Sequence, residues 1–265
     1  MKHPPRIGPR RPRPRLFRPP APEHLRRGIY LLPSLFTVAN LFFGFWAIID
    51  AINGHLERGG WLIFLAGILD GLDGRIARLA GASSAFGREY DSLADVISFG
   101  VAPAILAYQW ALRDMGRWGL VVGFLFVVAG SVRLARFNIK VEQSDPRYFT
   151  GLPIPGGAAA AVMLVLVDPA PVIDPRFKIL VGLYLLLIAL LMVSDLPYRT
   201  FKNVGLRRRW PATLFFVIAV VVAMIAATPV VTLAVMLCVY LVAGPIEWLL
   251  RRSRQRSLHP GADGR

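Results

Sequence analysis

The sequence is poor in cysteine, in histidine and in acidic residues. Cys238 is the only cysteine, so no intrachain disulfide can form. The four histidines (His3, His24, His55 and His259) lie at the chain ends or in short loops, so a metal inside a membrane would need oxygen ligands. With 31 basic and 16 acidic residues the net charge is +15, but no basic patch is interleaved with aromatic residues on a soluble fold. We therefore expect no nucleic-acid partner, and contact with anionic membrane lipids instead.

Long apolar runs occupy much of the chain, in which 55% of residues are hydrophobic and the mean hydropathy is +0.52. Runs such as WLIFLAGIL and ILVGLYLLLIALLMV, with their flanks, approach the roughly 20 residues that a bilayer crossing needs. They lack the alternation of barrel strands, so helices remain as the structure that satisfies the backbone in lipid. We expect an all-α, polytopic membrane helix bundle of about eight transmembrane helices, at 31–53, 59–81, 86–111, 115–140, 153–168, 177–194, 210–227 and 230–250. The fifth is short, begins after GLPIP, and carries a small-residue run, GGAAAA, that favours close helix contact.

Lys and Arg are concentrated at both ends and in alternate connections. With the N-terminus inside, this asymmetry predicts an even number of spans with both termini cytoplasmic; six spans also satisfy it and seven do not. The expected organisation is a basic, Pro-rich disordered tail over 1–29, a membrane domain over 30–250 and a second basic tail over 251–265. We expect a multi-pass integral membrane protein, in the inner membrane if the source is bacterial.

The stretch DGLDGRIARLAGASSAFGREYDSLAD places four aspartates beside apolar segments. Asp70 and Asp73 are three residues apart and Asp91 and Asp95 four apart, so each pair shares a helix face. A short connection between the two helices makes them antiparallel neighbours, on which four carboxylates can converge near the cytoplasmic surface. Hard oxygen ligands of this kind suit Mg²⁺ or Mn²⁺ together with substrate phosphates. The alternative is a set of interfacial salt bridges between helix ends.

Small residues accompany the aspartates. Gly74 follows Asp73 directly, Gly87 lies one turn before Asp91, and Ala77 is also small. Glycine inside a helix costs about 1 kcal/mol relative to alanine, and it is useful where a ligand approaches the backbone. Close helix packing explains the same glycines equally simply. With a phosphorylated ligand on this face, Arg78 is the candidate phosphate contact.

These residues carry a family resemblance. The stretch resembles the signature of the CDP-alcohol phosphotransferases, D-x-x-D-G-x-x-A-R-x8-G-x-x-x-D-x-x-x-D. The residues on its fixed positions are Asp70, Asp73, Gly74, Ala77, Arg78, Gly87, Asp91 and Asp95. The resemblance implies an enzyme with a six-helix family core, here with two further helices, and a homodimeric assembly. It also implies attack of an alcohol on the lipid-linked phosphorus of a CDP-lipid, with CMP leaving.

Further segments resemble the phosphatidylserine synthase branch of this family. They are NLFFGF, DSLADVISFGVAPA, RLARFN, GLPIP and SDLPYRTFK, spread over residues 30 to 205. The branch implies transfer of the phosphatidyl group from CDP-diacylglycerol to L-serine, which gives phosphatidylserine and CMP in phospholipid biosynthesis. The same chemistry with glycerol phosphate, inositol phosphate or choline as acceptor remains an alternative.

The resemblance also implies roles for the acidic residues. Asp70, Asp73 and Asp91 are expected to bind two Mg²⁺ or Mn²⁺ ions, with Asp95 as a ligand of the second ion. Asp95, the last aspartate of the signature, is also the expected base for the serine hydroxyl, with Asp91 beside it in the catalytic pair. Ligand and base roles conflict at Asp95, because a metal lowers the basicity of a carboxylate.

The remaining candidates contact the two substrates. Gly74, Ala77, Arg78 and Gly87, together with Asp70, are expected to form the CDP cradle. Asn40 is a further candidate CDP-lipid contact, and an interhelical hydrogen bond is the equally simple alternative. Arg133 and Arg136 lie one turn apart and are candidates for the serine carboxylate or a lipid phosphate, since Arg binds either bidentately; positive-inside anchoring is their alternative. Arg199 and Lys202 have a weaker claim of the same kind.

A divalent cation transporter is a rival of another class. Intramembrane acids bind the transported ion in such proteins, which predicts acids spread along a path through the membrane. Here the acids cluster at one depth, and the other acids in or beside spans, Asp50, Asp195 and Glu247, lie near span ends. The clustering favours the enzyme.

Overall fold

The structure is a computed structural model, and it describes residues 23–80, 85–140, 148–199 and 212–258. Within these ranges, some side chains lie outside the description: those of residues 23–34, 73, 75, 77–80, 85, 140, 148–150, 199, 212, 214 and 249–258.

Helices make up nearly all of the described chain. They are α1 (Glu23–Ile52), α2 (Leu56–Ala80), α3 (Ala85–Asp95), α4 (Ala102–Ala107), α5 (Arg117–Lys140), α6 (Ile154–Val167), α7 (Pro175–Val193), α8 (Ala212–Ala227) and α9 (Pro229–Leu258). Two short strands, β1 (Tyr148–Thr150) and β2 (Pro197–Arg199), pair antiparallel. The expected all-α membrane bundle is confirmed, and each expected helix corresponds to one helical run of the structure.

Within the described ranges, membrane-spanning character is strongest in five helical segments. Segments long and apolar enough to cross a bilayer are Leu35–Ile52, Phe86–Met115, Arg117–Ile139, Pro175–Val193 and Pro229–Trp248. Two shorter apolar helices, Ile154–Val167 and Phe215–Ala227, accompany them. The charged second half of α2 keeps that helix outside the five. The number of crossings, eight or six, therefore stays a prediction.

The first and last helices are longer than expected. α1 begins at Glu23 rather than near residue 31, and α9 continues to Leu258 through the RRSRQRS segment. Arginine is a good helix former, and cations in a last turn interact favourably with the helix dipole. Residues 1–22 and 259–265 lie outside the described ranges, so the limits of the two expected tails stay a prediction.

The third helical run contains two stretches of π-helix that the sequence analysis did not anticipate. The π-helix Val96–Val101 joins α3 to α4, and a second one, Tyr108–Leu112, leads into a 3₁₀ turn at Arg113–Met115. Pro103 at the start of α4 lacks an N–H and its ring crowds the preceding turn, which wider i→i+5 bonding relieves. The backbone N–H of Ala102 accordingly donates to the carbonyl of Ile97.

The antiparallel strand pair β1–β2, whose strands are separated in sequence by α6 and α7, brings GLPIP and SDLPYR together. Phe149 pairs with Tyr198, and the N–H of Gly151 donates to the carbonyl of Leu196 at 2.9 Å. Gly151 has φ of +78°, and a Cβ there would lie 2.5 Å from the Met192 carbonyl oxygen, so only glycine fits.

α6 is the central helix of the bundle. Its buried residues include Ala158, Ala160 and Ala161, each at most 1% exposed, and it contacts α2, α4, α7 and α9. The small-residue run GGAAAA therefore does mediate close helix contact, as its composition predicts. The core around α6 supports α2 and the α3–α4 run, which carry the aspartates.

Polar contacts join the connections between helices at the end of the bundle opposite the β1–β2 pair. Trp110 Nε1 donates to the carbonyls of Asp168 (2.9 Å) and Ala170 (2.8 Å), and Lys178 pairs with Asp114 at 2.6 Å. These contacts join the end of the third run to the α6–α7 connection, so this end of the bundle is held by side-chain contacts.

Candidate active site and metal centre

Three of the four signature aspartates converge between α2 and α3. Asp70, Asp91 and Asp95 each offer a carboxylate oxygen, and these three oxygens all lie within 4.8 Å of one another. Asp95 is buried, whereas Asp70 and Asp91 are half-buried. Asp73 lies one turn after Asp70 on α2, and its side chain is outside the described residues.

Local helix geometry explains this convergence. Asp91 and Asp95 are separated by one turn on α3, so their side chains leave the same face. α2 presents Asp70 to that face. Three carboxylates at this spacing repel one another, and a partly buried position strengthens the repulsion. A divalent cation with oxygen ligands neutralises them, which makes the cluster suitable for Mg²⁺ or Mn²⁺.

Asn40 of α1 adjoins the cluster. Its side chain is fully buried, and its Nδ2 donates to Asp95 Oδ1 at 3.4 Å. Asn40 Oδ1 is buried as well, and it has no hydrogen-bond partner within the described ranges. A buried acceptor without a protein partner is what a site for a cation or a polar ligand provides. The donor set and this oxygen therefore fit a divalent metal centre.

A close contact between α1 and the first π-helix fixes Asn40. Ser98 Oγ donates to the backbone carbonyl of Asn40 at 3.1 Å, and Ser98 is itself fully buried. A Cβ at Gly44 would lie within 3 Å of Ser98 Cα and Cβ, so the glycine permits the approach. Sequence reasoning did not single out Ser98, although it is a serine inside an apolar run and belongs to the segment DSLADVISFGVAPA.

Arg133 of α5 also lies near Asp95. It is only 6% exposed, it is near enough to Asp95 and Tyr240 to interact with both electrostatically, and its guanidinium sits 5.2 Å from the centre of the Phe137 ring. Tyr240 belongs to α9, and neither it nor Phe137 was singled out from the sequence. A buried cation beside the acidic cluster is where an anionic group of a substrate is best accommodated.

Arg136 is directed elsewhere. Its Nη1 donates to the carbonyl of Val193 and its Nη2 to Asp195 Oδ1, each at 2.5 Å. These contacts join the last turns of α5 to the end of α7, beside the β1–β2 pair. The described contacts of Arg136 therefore hold two helix ends together, and its expected part in acceptor or phosphate binding stays a prediction.

The other sequence candidates are placed less fully. Gly74 on α2 and Gly87 on α3 are half-buried, and Gly87 precedes Asp91 by one turn. The side chains of Ala77, Arg78 and Arg199, and all of Lys202, lie outside the described residues. The cradle expected of Gly74, Ala77, Arg78 and Gly87 therefore stays a prediction.

Comparison with known proteins identifies one matching family and several relatives whose names agree with it. The family model described as CDP-alcohol phosphatidyltransferase matches residues 30–194. A CDP-diacylglycerol–serine O-phosphatidyltransferase of Helicobacter pylori is 41% identical over 222 residues, which cover 83% of this chain and 92% of the relative. The protein of that name from Methanocaldococcus jannaschii is 34% identical and covers 84% of this chain and 96% of its own. An archaetidylserine synthase of Methanothermobacter thermautotrophicus is 36% identical over 66% of this chain and 72% of its own.

The family model and the relatives cover the helices that carry the aspartate cluster. Three observations indicate the same family. They are the eight-position signature, the convergence of Asp70, Asp91 and Asp95, and these matches. The chain belongs to the CDP-alcohol phosphatidyltransferase family.

Proposed function

We propose that the protein transfers the phosphatidyl group of CDP-diacylglycerol to the hydroxyl of L-serine and releases phosphatidylserine and CMP. The observation that carries the proposal is the meeting of Asp70, Asp91 and Asp95 oxygens within 4.8 Å. The choice of serine is supported by the names of the relatives, which are serine O-phosphatidyltransferases and an archaetidylserine synthase.

In this proposal the acidic cluster holds two divalent ions, Mg²⁺ or Mn²⁺, through Asp70, Asp73, Asp91 and Asp95. When bound, such ions supply electrostatic stabilisation of the charge that develops on the pyrophosphate and on the leaving CMP. The protein supplies the arrangement. Helices α2 and α3 hold the carboxylates of Asp70, Asp91 and Asp95 within 4.8 Å of one another, and the packed bundle excludes bulk water from Asp95.

Bond changes in the transfer balance without a further reactant. The serine oxygen forms a bond to the phosphorus of the phosphatidyl group, and the bond from that phosphorus to the CMP oxygen breaks. CMP leaves with the electron pair of the broken bond, and the serine hydroxyl proton passes to the Asp95 carboxylate. Asp95 suits this role because it is the buried member of the cluster, and because Arg133 near it is the proposed contact for the carboxylate of the incoming serine.

Substrate contacts follow from the same surroundings. Gly74, Ala77, Arg78 and Gly87 line the cytidine diphosphate in this proposal, and Arg133 receives the serine carboxylate. A buried guanidinium is suited to that task, since it stays charged and binds a carboxylate through two N–H groups.

We place both termini and the active site on the cytoplasmic side of the membrane. The concentration of Lys and Arg in the terminal segments and in alternate connections along the sequence supports this orientation. The protein would then meet soluble serine from the cytoplasm, CDP-diacylglycerol from the bilayer, and a second copy of itself as a homodimer.

Release of CMP tests the proposal. Purified protein in mixed micelles receives labelled CDP-diacylglycerol with serine, glycerol phosphate, inositol phosphate or choline, each with Mg²⁺, with Mn²⁺ or with a chelator. We expect CMP and phosphatidylserine only with serine and a metal. Turnover with another alcohol would overturn the acceptor, and metal flux in proteoliposomes without any CMP would instead support a cation transporter.

A further inference from the structure

Asn40 occupies an unusual place for an asparagine, because it lies inside an apolar helix with no exposure at all. Its one described side-chain partner is Asp95 Oδ1, at 3.4 Å from Nδ2. We propose that Asn40 is a positioning residue of the metal centre, whose amide holds the Asp95 carboxylate in the orientation that faces Asp70 and Asp91. This inference rests on the proposed metal-dependent function, and it assigns Asn40 a role other than contact with the CDP-lipid.

The backbone around Asn40 is held firmly enough for such a role. Its own carbonyl accepts the 3.1 Å hydrogen bond from Ser98, and the missing side chain at Gly44 lets α1 approach the π-helix closely. Asp95 is the residue immediately before that π-helix. The donor on α1 and the carboxylate on α3 are therefore fixed to the same contact, so their relative position is set by packing.

Asparagine suits the position chemically. An amide N–H that bonds one carboxylate oxygen restrains rotation of the carboxylate and leaves its other oxygen for a cation. Unlike lysine or arginine, the amide carries no charge, so it does not compete with a divalent ion for the carboxylates. Residues that orient metal ligands in this way typically change metal affinity about 10- to 100-fold when they are lost.

Stability alone does not explain the residue. Asn40 Oδ1 is buried without a partner in the described part of the chain, and an unpaired buried acceptor is destabilising. Leucine has nearly the same shape and would remove this burden, although it would also remove the donor to Asp95. We therefore expect Asn40→Leu to keep the fold and to lose metal affinity, a combination that a purely structural hydrogen bond would not produce.

Mn²⁺ binding to the purified protein without CDP-lipid tests this, with free Mn²⁺ followed by electron paramagnetic resonance. For Asn40→Leu we expect a Kd for Mn²⁺ raised about 10- to 100-fold, and an unfolding temperature within about 4 °C of the unsubstituted protein. Tyr184→Phe is the control, since it removes a half-buried interhelical hydrogen bond to the Ala160 carbonyl, at 3.2 Å, and leaves Asn40 and its contacts in place; its Kd should change less than about threefold. Asn40→Ala, which cannot clash, replaces the leucine variant if that one does not fold.

A double-mutant cycle links the effect to Asp95. In an Asp95→Asn background the Asn40→Leu substitution should change the Mn²⁺ Kd by less than about twofold, because the carboxylate that Asn40 orients is already absent. Additive losses would overturn the proposal. So would an unchanged Mn²⁺ Kd in Asn40→Leu accompanied by a raised KM for CDP-diacylglycerol, which would make Asn40 a lipid contact.

The two proposals fail in different ways. If the unsubstituted protein binds Mn²⁺ and forms CMP with serine, while Asn40→Leu binds Mn²⁺ equally well, only the positioning role is overturned. If the unsubstituted protein forms no CMP with any alcohol, the proposed function itself is overturned, and the positioning role with it.

Discussion

The ring of Tyr198 fills the space beside Gly244 that any side chain there would need. A Cβ at Gly244 would lie 2.4 Å from Tyr198 Cζ, and the Tyr198 hydroxyl donates to the carbonyl of Leu241 at 3.4 Å. Tyr240 adds a ring contact, with 5.6 Å between its ring centre and that of Tyr198. Through this contact β2, which follows α7, holds α9 against the bundle, and α9 brings Tyr240 toward Arg133.

Gly244→Ala should destabilise the protein. The new methyl group overlaps the buried ring of Tyr198, and overpacking of this kind typically costs about 1–3 kcal/mol. Thermal unfolding in detergent measures the effect. Gly123→Ala is the control, because the nearest atom to its Cβ would be the Ala104 carbonyl oxygen at 3.9 Å. Equal unfolding temperatures for the two variants would contradict the close contact.

Asp95→Asn should nearly abolish turnover. An asparagine cannot accept the serine proton, and loss of a general base typically lowers the rate about 10²- to 10⁴-fold. CMP release measures the rate, and binding of CDP-diacylglycerol should be largely retained. Glu89→Gln, an exposed acid on the same helix, is the control and should keep its activity. More than a tenth of the normal turnover in Asp95→Asn would remove the base role.

Arg133→Lys should weaken recognition of the serine carboxylate. Lysine keeps the charge but loses the bidentate contact with the serine carboxylate. The KM for serine should therefore rise by about tenfold or more, while the KM for CDP-diacylglycerol stays nearly constant. Serinol, which lacks the carboxylate, is the matched probe. Its turnover relative to serine should increase in the variant. An equal rise in both substrate KM values would instead favour a role in lipid-phosphate binding or in packing.

Arg136 and Asp195 should behave as a structural pair. Asp195 is 77% exposed, so the salt bridge is screened, and its loss should cost less than about 1 kcal/mol. Arg136→Ala loses in addition the bond to the Val193 carbonyl and should therefore destabilise more than Asp195→Ala. Thermal unfolding and serine KM are measured together. A serine KM that rises as much as in Arg133→Lys would instead support a role for Arg136 in binding the acceptor serine.

Arg58→Ala should destabilise the bundle without changing its chemistry. Arg58 donates to both oxygens of Asp50 at 2.5 and 2.6 Å, and the Asp50 side chain is only 2% exposed, so the substitution leaves a buried carboxylate without its cation. Asp50→Asn in the same chain should restore part of the unfolding temperature. The KM for serine should be unchanged, since this pair lies at the start of α2 and the aspartate cluster lies toward its other end. A further loss in the double variant would contradict the assignment.

Much of the fold follows from composition and spacing. The apolar runs predict the helices, because a membrane leaves helices as the way to satisfy the backbone of such segments. The run GGAAAA predicts a closely packed helix, and α6 is the buried centre of the bundle. The spacing of Asp91 and Asp95 predicts that they share a face, and both contribute to the cluster. These features depend on neighbouring residues along one helix, so the sequence expresses them directly.

Other features depend on contacts between distant segments, and the sequence alone left them open. Arg133 and Arg136 have the same residue type and the same setting in RLARFN, yet one lies beside Asp95 and the other binds the end of α7. The β1–β2 pair joins residues about fifty apart, and the π-helix after Asp95 brings Ser98 to Asn40. The sequence by itself determined the helices, the aspartate signature and the family. Tertiary packing decided which polar groups face the aspartates, because the rotation of each helix is set by the neighbours it packs against.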